Sequence, residues 1–134
     1  MGYRTIDASK AIPIAGASED PAILDNAWQR IDEELASQEP VGIFPEGGIT
    51  RDGEIQTFRP GIERILESQP VPVVPMALCN LWGSLFSRSD PVAKRRPRKL
   101  WARIELRIGA AIPATEATVA RVEAEVRALR GDDR

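Results

Sequence analysis

A chain of 134 residues, 43% hydrophobic, 28% charged and with a net charge of −2, has the make-up of one globular domain; this excludes a disordered, collagen-like or disulfide-framework chain. With no histidine and one cysteine, the usual general base, the Ser–His and Cys–His nucleophile pairs, a multi-cysteine metal site and an internal disulfide are all excluded, and a lone thiol fits a reducing compartment. No signal peptide is visible and no apolar run approaches the roughly 18 residues that span a bilayer, so the expectation is a soluble or peripheral protein without metal or cofactor.

In chain order, residues 11–15 (Ala-Ile-Pro-Ile-Ala) read as a short apolar strand. Ser18-Glu19-Asp20-Pro21 then reads as a helix start, with Asp20 as N-cap and Pro21 at the first helical position. The helix is expected to reach about Ser37. It places Leu24, Ala27, Trp28, Ile31 and Leu35 on one face, with Glu33 and Glu34 on a wet surface opposite. Residues 41–44 (Val-Gly-Ile-Phe) read as a second apolar strand, breaking into a glycine-rich polar loop over 45–57. Pro60-Gly61 opens a short helix carrying Ile62, Ile65 and Leu66.

Residues 71–78 (Val-Pro-Val-Val-Pro-Met-Ala-Leu) read as a buried strand, its prolines at the ends or at a bulge, with Cys79 as buried packing at its end. Over 100–108 the sequence alternates. Leu100, Ala102, Ile104, Leu106 and Ile108 share one face and Trp101, Arg103, Glu105 and Arg107 the other, the period of a half-exposed strand. A last helix spans roughly 115–130, with Val119, Val122, Val126 and Leu129 facing inward and Gly131 ending it. Strand, helix, strand, helix, strand, strand, helix is an α/β order, with no repeat and no internal boundary, so residues 1–134 read as one domain. Charge is polarised along it. Residues 17–46 hold eight acids and one base, and residues 88–107 hold eight bases and two acids.

The stretch Ile43-Phe44-Pro45-Glu46-Gly47-Gly48-Ile49-Thr50-Arg51-Asp52-Gly53 carries the functional argument. An apolar run enters Pro-Glu-Gly-Gly, where the backbone must turn and its uncrowded N–H groups can face an anion. Arg51 and Arg59 follow, the second just ahead of a helix start. Guanidiniums, glycine amides and a helix N-terminus together make a phosphate site; the competing reading is an exposed turn with two ordinary surface arginines. Lys94-Arg95-Arg96-Pro97-Arg98-Lys99 has three readings. A solvated loop comes first, then attraction to anionic headgroups with Trp82, Leu85, Phe86 and Trp101 as interfacial anchors. Nucleic-acid binding comes last, since neither a stacking platform nor a recognition helix is evident.

Phe44-Pro45-Glu46-Gly47 resembles the third motif of the glycerol-phosphate and lysophosphatidate acyltransferase family. Phe58-Arg59-Pro60-Gly61 resembles the Phe-basic-X-Gly stretch that follows it, and Val71-Pro72-Val73-Val74-Pro75 is similar to the fourth motif. The resemblance covers about residues 11–109. It is closest to bacterial domains fused to transporters or acyl-activating enzymes. It implies an α/β fold, a mixed sheet with flanking helices, and acyl transfer from acyl carrier protein or coenzyme A to a glycerophosphate or lysophospholipid hydroxyl in phospholipid biosynthesis. It also implies that Glu46 and Gly47, with Gly48, Thr50 and Arg51, shape the acceptor pocket, and that Arg59 contacts the acceptor phosphate.

Two departures stand out. The family places Thr-Arg directly after Glu-Gly, whereas Gly48-Ile49 intervene here before Thr50-Arg51. The second motif ends in an arginine, which the run from Ala11 to Gly16 lacks. The family's base and its orienting carboxylate come from a His-x-x-x-x-Asp motif, absent from this chain. The expectation is therefore the acceptor-binding part of an N-terminally incomplete acyltransferase domain, with no catalytic residue of its own and inactive alone. Its expected setting is cytoplasmic and peripheral to the inner membrane, on an anionic surface. The alternative is a non-catalytic lipid- or partner-binding module with the same fold.

Overall fold

The computed structural model describes residue 12 and residues 21–48, 53–80 and 103–132. It divides into two compact units, Met1–Gly42 and Ile43–Arg134. In the first, α1 spans Pro21–Ala36 with Ala27 and Ile31 buried and Leu24, Trp28 and Leu35 half-buried, the face that the 3–4 spacing predicts. Its end is a Schellman turn: Gln38 N donates to Leu35 O and Glu39 N to Glu34 O, with Gln38 at φ 62° in the position usually held by glycine. Of the first expected strand only Ile12 is described, and it is in coil; residues 11 and 13–15, like the Asp20 cap, lie outside the described residues.

The second unit holds α2 (Gly61–Ser68), β1 (Met76–Cys79), β2 (Glu105–Ile108), a 3-10 turn over Ala114–Glu116 and α3 (Val119–Arg130). Its core joins Phe58, Ile62, Ile112, Ala117 and Val122, with Ile55, Leu66, Val73, Val119 and Val126 packed around them. Burying the larger of these side chains, Phe58, Ile62, Ile112 and Val122, contributes about 1.5–3 kcal/mol each. Helices with a small sheet agree with a mixed α/β class. The observed pairing is antiparallel, β1 against β2 with Met76 opposite Ile108 and Cys79 opposite Glu105.

Pairing resumes past Pro75 as a bridge between Val73 and Ile112. Three steps on one side of this gap face four on the other, so the chain bulges at 109–111. Gly109 sits in the bulge and donates its N–H to Pro75 O at 2.9 Å. A Cβ on Gly109 would come within 2.9 Å of the Pro75 ring, so the close approach requires glycine.

Three expectations need correction. Residues 41–44 form no strand, and Ile43 and Phe44 are exposed, Phe44 at 82%; apolar residues make a strand only with a ladder partner, and none pairs with them among the described residues. The run 71–78 is not a fully buried strand. Its prolines confine the regular pairing to 76–79, where Ala77 and Cys79 are buried and Met76 and Leu78 exposed. In 100–108 the described part forms a strand only at 105–108, and its apolar row is not the covered side; of the other row only Arg107 is half-buried. Leu106 and Ile108 are exposed at 53% and 58%, while Arg107 on the opposite face donates Nη1 to Leu129 O (3.0 Å) and Arg130 O (3.3 Å). α3 packs on the face of Ala77, Cys79 and Arg107, and a cation at a helix C-terminus is favoured there by the unpaired carbonyls.

Candidate functional site

The glycine loop begins as a tight turn. Gly47 N donates to Phe44 O at 3.2 Å, with Pro45 in the second position and Gly47 in the fourth, the residues that such a turn favours. Two hydrogen bonds pin this turn to the returning strand of chain. Glu46 Oε2 accepts from Gln56 N at 2.7 Å, and Pro45 O accepts from Arg59 N at 2.9 Å. The excursion from Gly48 to Gly53 is thereby closed at its base. Thr50 and Arg51 belong to that excursion but lie outside the described residues.

The Phe58-Arg59-Pro60-Gly61 stretch divides its labour by alternation. Phe58 is buried at 6% in the core, Arg59 points to solvent, Pro60 caps α2 and Gly61 begins it. Anchoring Phe58 fixes where Arg59 starts, and the turn fixes where its side chain runs. Gly47 adopts φ +66°, and a Cβ there would sit 2.5 Å from Arg59 Nε and 2.8 Å from Cδ and Cζ. The guanidinium arm lies directly over the bare glycine. Among the described residues no carboxylate or carbonyl pairs with that guanidinium.

The fold thus brings Glu46, Gly47 and Arg59 to one turn, with Gly48 exposed beside them and open space where its Cβ would be. One detail differs from expectation. The Gly47 N–H is used inside the turn, so this glycine contributes room for Arg59 instead of an amide for a ligand. The half-buried Glu46 carboxylate serves as a tie across the loop.

Sequence reasoning missed the residues that hold the returning segment. Phe58 N donates to Glu123 Oε2 at 2.9 Å, Arg127 Nη2 to Ile55 O at 3.0 Å, and Arg130 to both Gly53 O (2.8 Å) and the Glu54 carboxylate (2.7 Å). Glu123 also accepts from Arg127 Nε at 2.9 Å. The Phe58 N–H first, and then Arg127, hold the Glu123 carboxyl below the ordinary glutamate range. These partners are far apart in sequence, and no local spacing reveals them.

Comparison with known proteins bears on what this loop belongs to. The family model described as Acyltransferase matches residues 5–79, more than half of the 134. The chain belongs to the acyltransferase family. No curated protein and no solved structure matches it. Family membership makes acyl transfer between a donor and an acceptor the chemistry to be explained. The matched segment of this acyltransferase includes the turn, Arg59, α2 and β1. It stops before β2 and α3, so the residues that fasten 53–58 lie beyond it. No helix among the described residues is long and apolar enough to cross a membrane.

Proposed function

We propose that the turn at 44–48 and Arg59 form the acceptor-phosphate subsite of an acyltransferase of phospholipid biosynthesis. The acyl group comes from acyl carrier protein or a coenzyme A thioester and goes to a glycerophosphate or lysophospholipid hydroxyl. The observation that carries this reading is the exposed Arg59 guanidinium, lying over Gly47 and without a carboxylate or carbonyl partner among the described residues. A phosphate monoester is the acceptor group that such a fork suits, because guanidinium and phosphate oxygens match in bidentate geometry. Thr50 and Arg51 complete the subsite in this reading, with Glu46 fixing the loop and Gly48 leaving it open. The hydroxyl's proton needs a base, and with no histidine among these residues that base comes from outside them. Calorimetry with glycerol 3-phosphate tests the subsite: Arg59→Ala should lose about 1.5–3 kcal/mol of binding, and an unchanged affinity refutes the assignment.

We propose further that the protein is held peripherally at a cytoplasmic, inner-membrane surface, where a lipid acceptor would be met. The support is the basic run Lys94-Arg95-Arg96-Pro97-Arg98-Lys99, which lies outside the described residues. Each such base adds about 1 kcal/mol near an anionic surface and is screened by salt. Sedimentation with vesicles should rise with phosphatidylglycerol content and fall with salt; equal pelleting with neutral vesicles rules the electrostatic part out. The lack of histidine also favours a second reading, a non-catalytic module that binds acceptor or lipid on the same fold. Acyl transfer by the intact protein separates the two.

A further inference from the structure

α3 runs antiparallel to the segment 53–63 and touches it at four places on one face. Arg130 holds Gly53 and Glu54, Arg127 holds Ile55 O, Glu123 holds Phe58 N, and Val119 N donates to Glu63 Oε1 at 3.2 Å. The helix positions 119, 123, 127 and 130 are spaced by four, four and three, the repeat of one helical face. Their partners descend in order along the chain. This is a splint: a rigid helix bonded at intervals to a stretch that forms no regular structure of its own before α2.

The splint is itself held at both ends. Thr118 Oγ1 accepts from Arg121 N at 3.2 Å at its start, and Arg107 binds the carbonyls of Leu129 and Arg130 at its close. Arg130 is the most enclosed member, its side chain only 12% exposed beside Glu54. What the splint fixes is the interval between Gly53, where the glycine excursion returns, and Arg59. That interval sets how the guanidinium meets the turn, because the Arg59 N–H is bonded to Pro45 O and its arm crosses Gly47.

We infer that Glu123, Arg127 and Arg130 are positioning residues for anion binding by Arg59, acting through the backbone of 53–58 from a helix outside the segment that defines the family. The inference rests on the phosphate reading of Arg59. Positioning residues that never meet the ligand change its affinity by about 2- to 30-fold. Loss of the Glu123 acceptor should release the Phe58 amide and let Arg59 swing from the turn.

The experiment titrates glycerol 3-phosphate into the full chain and follows amide exchange over 53–59. Its variants are Glu123→Ala, Glu123→Gln, Arg127→Met and Arg59→Ala. Glu123→Ala and Arg127→Met should each weaken binding within that 2- to 30-fold range and speed exchange over 53–59. Glu123→Gln, which keeps an acceptor oxygen for Phe58 N, should bind nearly as the parent does. Arg59→Ala should weaken binding without changing exchange at Phe58. Arg127 is half-exposed, so its replacement opens no core and remains informative if Glu123→Ala fails to fold. Faster exchange over 53–59 with unchanged affinity overturns the positioning role while leaving Arg59 in place. Unchanged exchange in both α3 variants overturns it too. An Arg59→Ala chain that binds like the parent, or a parent that binds nothing, overturns the phosphate reading and this inference with it.

Discussion

At Gly47 the identity of one residue decides where a charge is delivered. The positive φ alone disfavours any side chain by about 1–2 kcal/mol, and a Cβ would also collide with the Arg59 arm. That arm is flexible, so the collision is relieved by moving it. Gly47→Ala should therefore cost no more than that backbone strain in thermal stability, yet it should weaken phosphate binding by displacing Arg59. Because both changes act on one guanidinium, they should not add. A Gly47→Ala, Arg59→Ala double variant should bind glycerol 3-phosphate no worse than Arg59→Ala alone, and a further loss in the double variant would contradict the mechanism. The sequence makes the encounter of loop and arginine legible through order and spacing. It leaves the reason for the glycine illegible, since only the fold brings position 59 across position 47. The same holds for Glu46, whose tie to Gln56 N closes a loop that composition marks only as polar.

Elements were legible where the local pattern is sufficient and not where a partner decides. α1, α2 and α3 follow their 3–4 apolar spacing, and Gly131 ends α3 at φ 59° as its position implies; α3 starts at Val119 and not near 115, because Thr118 caps it and 114–116 form a separate 3-10 turn. The strands depend on neighbours. Residues 41–44 have no ladder partner among the described residues, Pro75 and Gly109 divert the pairing at a bulge, and the apolar row of β2 faces outward because α3 occupies the other side. The polar stripe of α3 was illegible for the same reason, since its partners lie in 53–63. That stripe should show in the acid limb of stability. Glu123 is held below the usual glutamate range, first by Phe58 N–H and then by Arg127, so the native state favours its ionised form. The resulting stability is fully present above the unfolded value of about 4.3. It is lost as pH falls through that value and then through the lower folded one. The fall in melting temperature from neutral pH to acid should accordingly be shallower in Glu123→Gln than in the parent. Parallel curves would mean that the carboxylate makes no net contribution at Phe58.

For the whole molecule, family membership and composition pull in different directions, and that tension yields the last prediction. The chain belongs to a family that transfers acyl groups, yet it contains no histidine. An acceptor hydroxyl is a poor nucleophile at neutral pH, and a positioned base is worth roughly 10²- to 10⁴-fold in rate. In the proposed reading Arg59 and the glycine turn hold a phosphate, but binding that is equal in ground and transition states does not speed the chemical step. Among the described residues of the loop, Glu46 has its Oε2 bonded to Gln56 N at 2.7 Å, a tie across the turn. These 134 residues by themselves should therefore release thiol from acyl-coenzyme A no faster with lysophosphatidate than without it. The measurement is a thiol-release assay on this chain beside a family member that carries the His-x-x-x-x-Asp motif. Acceptor-dependent turnover near that of the reference would overturn the prediction, and its loss in Glu46→Gln would then identify the carboxylate as the base. Background release, alongside calorimetric binding of glycerol 3-phosphate that Arg59→Ala weakens, is the expected result, because holding an acceptor without a positioned base does not activate its hydroxyl.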